Sequence, residues 1–231
     1  MQANQNHFIE ISIVVPVYNS EIILPELILQ IFNTFKEKDF HYEIILVNDC
    51  STDKSWNRIQ EFSQKHSNIK GIKNERNIGQ AYTSLKGIAQ SKGDFIVTID
   101  DDLEYHPSDI LLLYHHIKEN HFDLVFGIAK EKYRKQGKSQ KLAEFRNKLL
   151  NKIWNKPITD SFKIFRRNMV FNNDVFLPET HFEGFVKKNI RKINIGYLEV
   201  NFSPRFAGKS NYTFLKKWRL FVQMSRGFFN I

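Results

Sequence analysis

The 231-residue chain is 42% aliphatic and aromatic, enough to bury the core of one large domain or two small ones. Its net charge of +9 favours polyanionic partners such as nucleic acid, anionic lipid or phosphorylated substrates, although a merely solvated basic surface is the plainer account. Cys50 is the only cysteine, which excludes an internal disulfide, and with neither a signal-peptide pattern in MQANQNHFIE nor a run of the ~18 apolar residues that span a bilayer, a soluble or surface-attached cytoplasmic protein is expected.

The run IEISIVVPV (9–17) is β-branched and too continuous to be half exposed, so it predicts a strand buried on both faces, with Pro16 at its end because proline cannot donate within a ladder. Residues 21–36 place Leu24, Leu27, Ile28, Ile31 and Phe35 at helical spacing. YEIILVND predicts a second strand, and CSTDKSWNRIQEF starts a helix with Ser, Thr and Asp available as caps. NIKGIKN reads as a short third strand. NIGQAYTSLKGIAQSKG reads as a helix closed by Gly93 as a C-terminal cap. DFIVTID is a fourth strand, Pro107 opens the helix through SDILLLYHHIKEN, and DLVFGI is a fifth strand. Strands separated by helices imply βαβ units, an α/β fold and a mostly parallel sheet whose ligands bind at the carboxyl ends of the strands. The polar, turn-forming pieces PVYN, VNDCS, KNERNIG and DDDLE all fall at those ends, which marks one edge as the active face.

After Ile128 the texture changes to the basic segment AKEKYRKQGKSQKLAEFRNKLLNKIWNKP, then ITDSFKIFRRNMV and IGYLEVNFSPRFAGKSNY. With no repeat or low-complexity linker, the expectation is one domain, 1–231, with two functional halves, 8–128 and 129–231.

TIDDDLEYHP (98–107) crowds four carboxylates into five positions. In an extended segment alternate side chains share a face, so Asp100, Asp102 and Glu104 would converge, with Asp101 directed away. Three convergent oxygen ligands suit Mg²⁺ or Mn²⁺, which would neutralise charge on a leaving diphosphate. A helix-capping acidic turn is the alternative, but a cap needs one or two carboxylates and not four. Asn77 and Gly79 precede a helix whose first amides could face an anion, a feature that a plain turn explains equally well. Arg205 and Lys209 flank Gly208 in a loop able to close over a diphosphate, or simply solvated. Cys50 reads as a small packing residue. His106, His115, His116 and His181 show no metal spacing.

In their order along the chain, VVPVYNSE, ILVNDCSTDKS, NERNIGQAYTSLKGIAQSKGDFIVTIDDDLEYHP, TDSFKIFRR and RFAGKSNY resemble the family-2 glycosyltransferases of the GT-A fold. The likeness is nearest to the dolichol-phosphate mannose synthase-like and bacterial polyprenyl-phosphate branch. That resemblance implies that Pro16, Tyr18 and Glu21 line the nucleotide pocket, that Asp49 binds the base, and that Asp100 and Asp101 meet the nucleotide sugar. It makes Asp100 and Asp102 the acids of the Asp-x-Asp motif, with Glu104 where relatives often carry Gln. Asp160 becomes the catalytic or acceptor-orienting acid, and Arg205, Lys209 and Ser210 would meet phosphates. Two departures are visible: VNDCS stands for the commoner VDDGS, and TDSFKIFRR is tighter than the usual acceptor motif.

The implied reaction is a metal-dependent, inverting displacement from a nucleoside-diphosphate sugar to a polyprenyl phosphate or lipid-linked glycan, with Arg134 and Arg146 able to position the acceptor. Phe214, Trp218, Phe221, Val222 and Phe228 form one helical side among Lys216, Lys217, Arg219 and Arg226, which fits peripheral contact with an anionic membrane at its cytoplasmic face or a helix packed on the protein body. Rival readings are a transferase building a cell-surface polysaccharide, a basic nucleic-acid-binding α/β protein and a catalytically dead nucleotide sensor. The nucleic-acid reading leaves the carboxylate cluster unexplained, because it would repel phosphates without a metal.

Overall fold

The structure, a computed structural model, describes residues 8–130, 162–171, 186 and 192–203. Strand β1 (Ile11–Val17) is buried along its whole length, as its unbroken apolar run requires. Alternate residues feed two cores. Ile11, Ile13, Val15 and Val17 face one, and Val14 faces the other. Helices α1 (Leu24–Phe35), α2 (Ser55–Lys65) and α4 (Asp109–Glu119) cover the first face through Leu27, Ile31, Ile59, Leu113 and Ile117. Helix α3 (Gln80–Ala89) and the short α5 (Arg167–Phe171) cover the second through Leu85, Ile88, Met169 and Val170. With β2 (Tyr42–Asn48), β3 (Ile69–Lys73), β4 (Phe95–Thr98), β5 (Leu124–Ala129), β6 (Lys163–Arg166) and β7 (Ile195–Val200), the strands form one sheet in the order β3-β2-β1-β4-β6-β5-β7. The α/β class and the mostly parallel sheet expected from sequence are what the chain adopts.

One strand runs against the rest. β6 is antiparallel to both β4 and β5, with Lys163 opposite Thr98 and Arg166 opposite Phe95. This strand comes from the TDSFKIFRR motif, so β6 and β7 draw the second half of the chain into the sheet built by the first.

Gly93 is not the helix cap expected from sequence. α3 ends at Ala89 with Gln90 as its cap, and Gly93 lies beyond it, where its amide donates to Ser12 Oγ at 2.8 Å. The Ser12 hydroxyl in turn donates to Glu43 Oε1 at 2.6 Å, and the Lys92 amide donates to the same oxygen at 2.7 Å. These bonds press the 91–93 turn onto β1 so closely that a Cβ on Gly93 would lie 2.7 Å from the Ser12 nitrogen.

Among the described residues no helix is long and apolar enough to cross a membrane.

Candidate active site

Parallel β1, β2, β3 and β4 release their chains at one edge, and hydrogen bonds knit the four exits together. In the first, Tyr18 donates its amide to Asp101 Oδ2 at 3.1 Å, and the Ser20 hydroxyl donates to the same oxygen. The Ser20 amide reaches Ser55 Oγ at 2.8 Å, and the Glu21 amide reaches Asp53 Oδ2 at 3.0 Å. Glu21 Oε2 accepts the Lys54 amide at 3.2 Å. Burial pulls the Asp53 carboxyl upward, but bonds from the Ser55 hydroxyl and amide and from Glu21 outweigh it and hold the group below its usual range. Pro16 is buried beneath this loop, whereas Tyr18 and Glu21 keep part of their surface open.

Asp49 is 3% exposed, and its carboxylate is engaged from three sides. Oδ1 accepts Asn74 Nδ2 at 3.0 Å and the Ile78 amide at 2.9 Å, and Oδ2 accepts the Gly79 amide at 2.9 Å. The amides ahead of α3 thus do face an anion, and it is a side chain of the protein. Gly79, at φ 86 and ψ 155, occupies a region that side chains other than glycine's rarely enter, which lets both amides turn inward. Asp49 therefore ties β2 to α3, leaving one lone pair on Oδ2 as what it can offer a base. Asn48, next to it, is fully buried.

Cys50 has φ 57, the left-handed conformation that favours the glycine of VDDGS. Among the described residues its thiol hydrogen-bonds the Glu75 carbonyl alone, at 3.5 Å. Cys50→Gly is expected to raise stability by about 0.5 kcal/mol, the strain relieved less the entropy glycine adds to the unfolded chain. The check is a higher urea midpoint at unchanged slope.

The acid stretch is a turn and not an extension of β4, which ends at Thr98. Leu103, buried at 6% exposure, takes φ 57, so the backbone is not extended between Asp102 and Glu104. The shared-face argument for Asp100, Asp102 and Glu104 therefore fails. Among the described residues no three His, Cys, Asp or Glu stand as a ready-made metal cluster. Asp100 Oδ1 accepts the Gln80 side-chain amide, and Asp102 Oδ1 accepts the Glu104 amide at 3.1 Å. Asp101 keeps some residue surface open, yet its carboxyl is packed round by protein. Burial pushes it up to about 6 against the pull of Ser20 and Tyr18, and the charge of Asp102 adds to the rise.

The turn's exit is bolted to the end of β7. Glu104 accepts the Ser203 amide on its backbone carbonyl at 2.8 Å, and Tyr105 bridges Phe202. His106, which showed no metal spacing in the sequence, lies 3.2 Å from Ser203 Oγ. Asp109, 2% exposed, accepts the Asn201 amide at 2.7 Å and its side chain at 3.2 Å. Neither the Asp109 clamp nor the Gln80 contact carries a sequence signal, since each joins segments by tertiary placement alone. Arg134, Arg146, Asp160, Arg205, Lys209 and Ser210 lie outside the described residues. Asp160 precedes Lys163, the partner of Thr98, by three positions, and Arg205 follows Ser203 by two.

The family described as Glycosyl transferase family 2 matches residues 12–184. The undecaprenyl-phosphate 4-deoxy-4-formamido-L-arabinose transferase of Shewanella sediminis is 30% identical over 229 residues, a span of 93% of this chain and 65% of that protein. TarS (residues 1–349) of S. aureus, in complex with UDP-GlcNAc, superposes with a TM-score of 0.61 at 24% identity, covering 89% of this chain and 62% of TarS. The mannosyltransferase PcManGT of Pyrobaculum calidifontis, in complex with GDP-Man and Mn²⁺, gives a TM-score of 0.64 at 16% identity, covering 96% of this chain and 65% of the other. The chain spans less than two thirds of the length of each.

Proposed function

The chain belongs to glycosyl transferase family 2, and from that premise we propose that it moves a sugar from a nucleoside-diphosphate sugar to a polyprenyl phosphate in one inverting displacement assisted by a divalent ion. The observation that supports this most is the strand-end edge itself, where the part-open Tyr18 and Glu21 are hydrogen-bonded into the same network as the acid turn 100–104. Its support from relatives is the lipid-phosphate acceptor in the name of the Shewanella protein.

Asp100 and Asp102 suit Mg²⁺ or Mn²⁺, ions held by one or two carboxylates that complete their shells with water and phosphate oxygens, and Glu104 is the third candidate. When bound, such an ion offsets the charge that grows on the departing diphosphate. Asp100 and Asp102 bind and orient, and Tyr18 and Glu21 face the nucleoside. The acceptor side draws on the chain's basic segments. Residues 204–231 contain Arg205, Lys209, Lys216, Lys217, Arg219 and Arg226 with no acid at all, a charge pattern suited to a lipid phosphate at an anionic membrane face.

A polyprenyl phosphate has its second pKa near ~6, so it arrives already nucleophilic and needs positioning more than deprotonation. A hydroxyl acceptor needs a base, for which Asp160 is the candidate. Asp160→Asn is therefore expected to abolish transfer to a hydroxyl while leaving measurable transfer to a lipid phosphate. Incubation with a panel of sugar nucleotides plus undecaprenyl or dolichyl phosphate, read by product mass, tests the whole proposal. Sugar found only on glycan hydroxyls would shift the reading to polysaccharide assembly.

A further inference from the structure

Asp101 stands between the two acids of the Asp-x-Asp motif, yet its carboxylate turns back into the protein. Oδ2 accepts the Tyr18 amide at 3.1 Å and also the Ser20 hydroxyl. These donors lie 83 and 81 residues away in sequence and bracket Asn19, the left-handed tip of the loop leaving β1. Ser20 passes the connection on through Ser55 Oγ, whose hydroxyl donates to Asp53 Oδ1 at 2.5 Å, and Asp53 holds the amide of Glu21. One carboxylate thus anchors the loop bearing Tyr18 and Glu21 to the turn bearing Asp100 and Asp102. A buried carboxylate is unfavourable unless donors satisfy it, and here both donors from outside its own turn come from that one loop.

We propose that Asp101 is a positioning residue that fixes the spacing between the nucleoside-facing loop and the diphosphate-facing acids without itself touching the donor. A donor whose base and diphosphate are held by two separate loops binds well only if those loops keep their distance before it arrives. The inference rests on the proposed function and adds a residue whose role is exerted through Tyr18 and Ser20.

The test compares the full-length protein with Asp101→Asn, Asp101→Ala and Ser20→Ala. Asparagine keeps one oxygen to accept both donors, and alanine keeps none. UDP and GDP are titrated by calorimetry with and without Mn²⁺, and exchange of the Tyr18 amide is followed in the ligand-free protein. In Asp101→Ala the Tyr18 amide is expected to exchange faster. Affinity for the preferred diphosphate should fall about tenfold with or without Mn²⁺, as loss of a charge-assisted hydrogen bond implies. The KM for the sugar nucleotide should rise in step, while kcat at saturation stays within about threefold, the signature of lost uniform binding. Asp101→Asn should restore all of these, and Ser20→Ala should show a smaller loss. A defect confined to Mn²⁺-containing samples, with asparagine no better than alanine, would make Asp101 a metal ligand and overturn the proposal. So would an unchanged Tyr18 amide together with unchanged affinity. Failure of the underlying reading looks different: the unsubstituted protein binds neither diphosphate although its Tyr18 amide still answers to Asp101→Ala, and that result overturns the spacing role along with the transferase.

Discussion

Asp102→Asn is expected to lower sugar transfer about a thousandfold, the scale of losing one preorganised electrostatic contact to developing charge. Asparagine is the informative replacement because its Oδ1 can still accept the Glu104 amide that Asp102 accepts at 3.1 Å. The turn should keep its shape, so circular dichroism and melting temperature should hold while activity collapses. EDTA should reproduce the loss in the unsubstituted protein, and added Mn²⁺ or Mg²⁺ should reverse it. Transfer that survives Asp102→Asn within a few-fold would remove the acid turn from the donor site. The neighbouring carboxylates are not interchangeable with this one, since Asp100 accepts from Gln80 and Asp101 from the β1 exit.

Gly93→Ala should be the most damaging single-methyl change in the described structure. The added Cβ would lie 2.7 Å from the Ser12 nitrogen and 2.8 Å from the Ile11 carbonyl carbon, both backbone atoms of a strand paired on two sides. Such a clash cannot be relieved by a rotamer change, and forcing the turn outward strains its bonds to Ser12 and Glu43. A loss of about 3 kcal/mol is expected, which for a chain of this size is a fall in melting temperature of roughly 6–12 °C. Gly79→Ala provides the contrast, since nothing lies within 4 Å of its Cβ and only the backbone at φ 86 resists. Its cost should be nearer ~1–2 kcal/mol. Equal losses at both glycines, measured by denaturant titration, would contradict this account.

The first five strands and the edge they share were legible because continuous β-branched runs between amphipathic helices leave little freedom in a parallel sheet. Pro16 at the end of β1 was legible for the same local reason. Neither β6 nor its direction was. KIFR fits a strand of either sense, and only pairing with Thr98 and Phe95 decides that it runs backwards. Leu103 was equally hidden, because a single left-handed residue leaves no periodic trace, yet it cancels the alternation on which three metal ligands were inferred. Gly93 was recognised as special for the wrong reason. Glycine after a helix usually marks a left-handed cap, whereas here the missing side chain makes room for β1. Asp49 shows the limit of motif reading: a carboxylate in a motif can be engaged by the protein's own backbone, here the amides of Ile78 and Gly79.

The reversed strand has a consequence for synthesis on the ribosome. Among the described residues β6 is the only hydrogen-bonded link between β4 and β5, and it emerges more than thirty residues after β5 has been made. Until then a nascent chain leaves the outer edge of β4 and both edges of β5 unpaired, each able to recruit a neighbouring polypeptide. Translation stalled within the intervening segment should leave this protein dependent on a holding chaperone, and once β6 and then β7 have paired, that dependence should end.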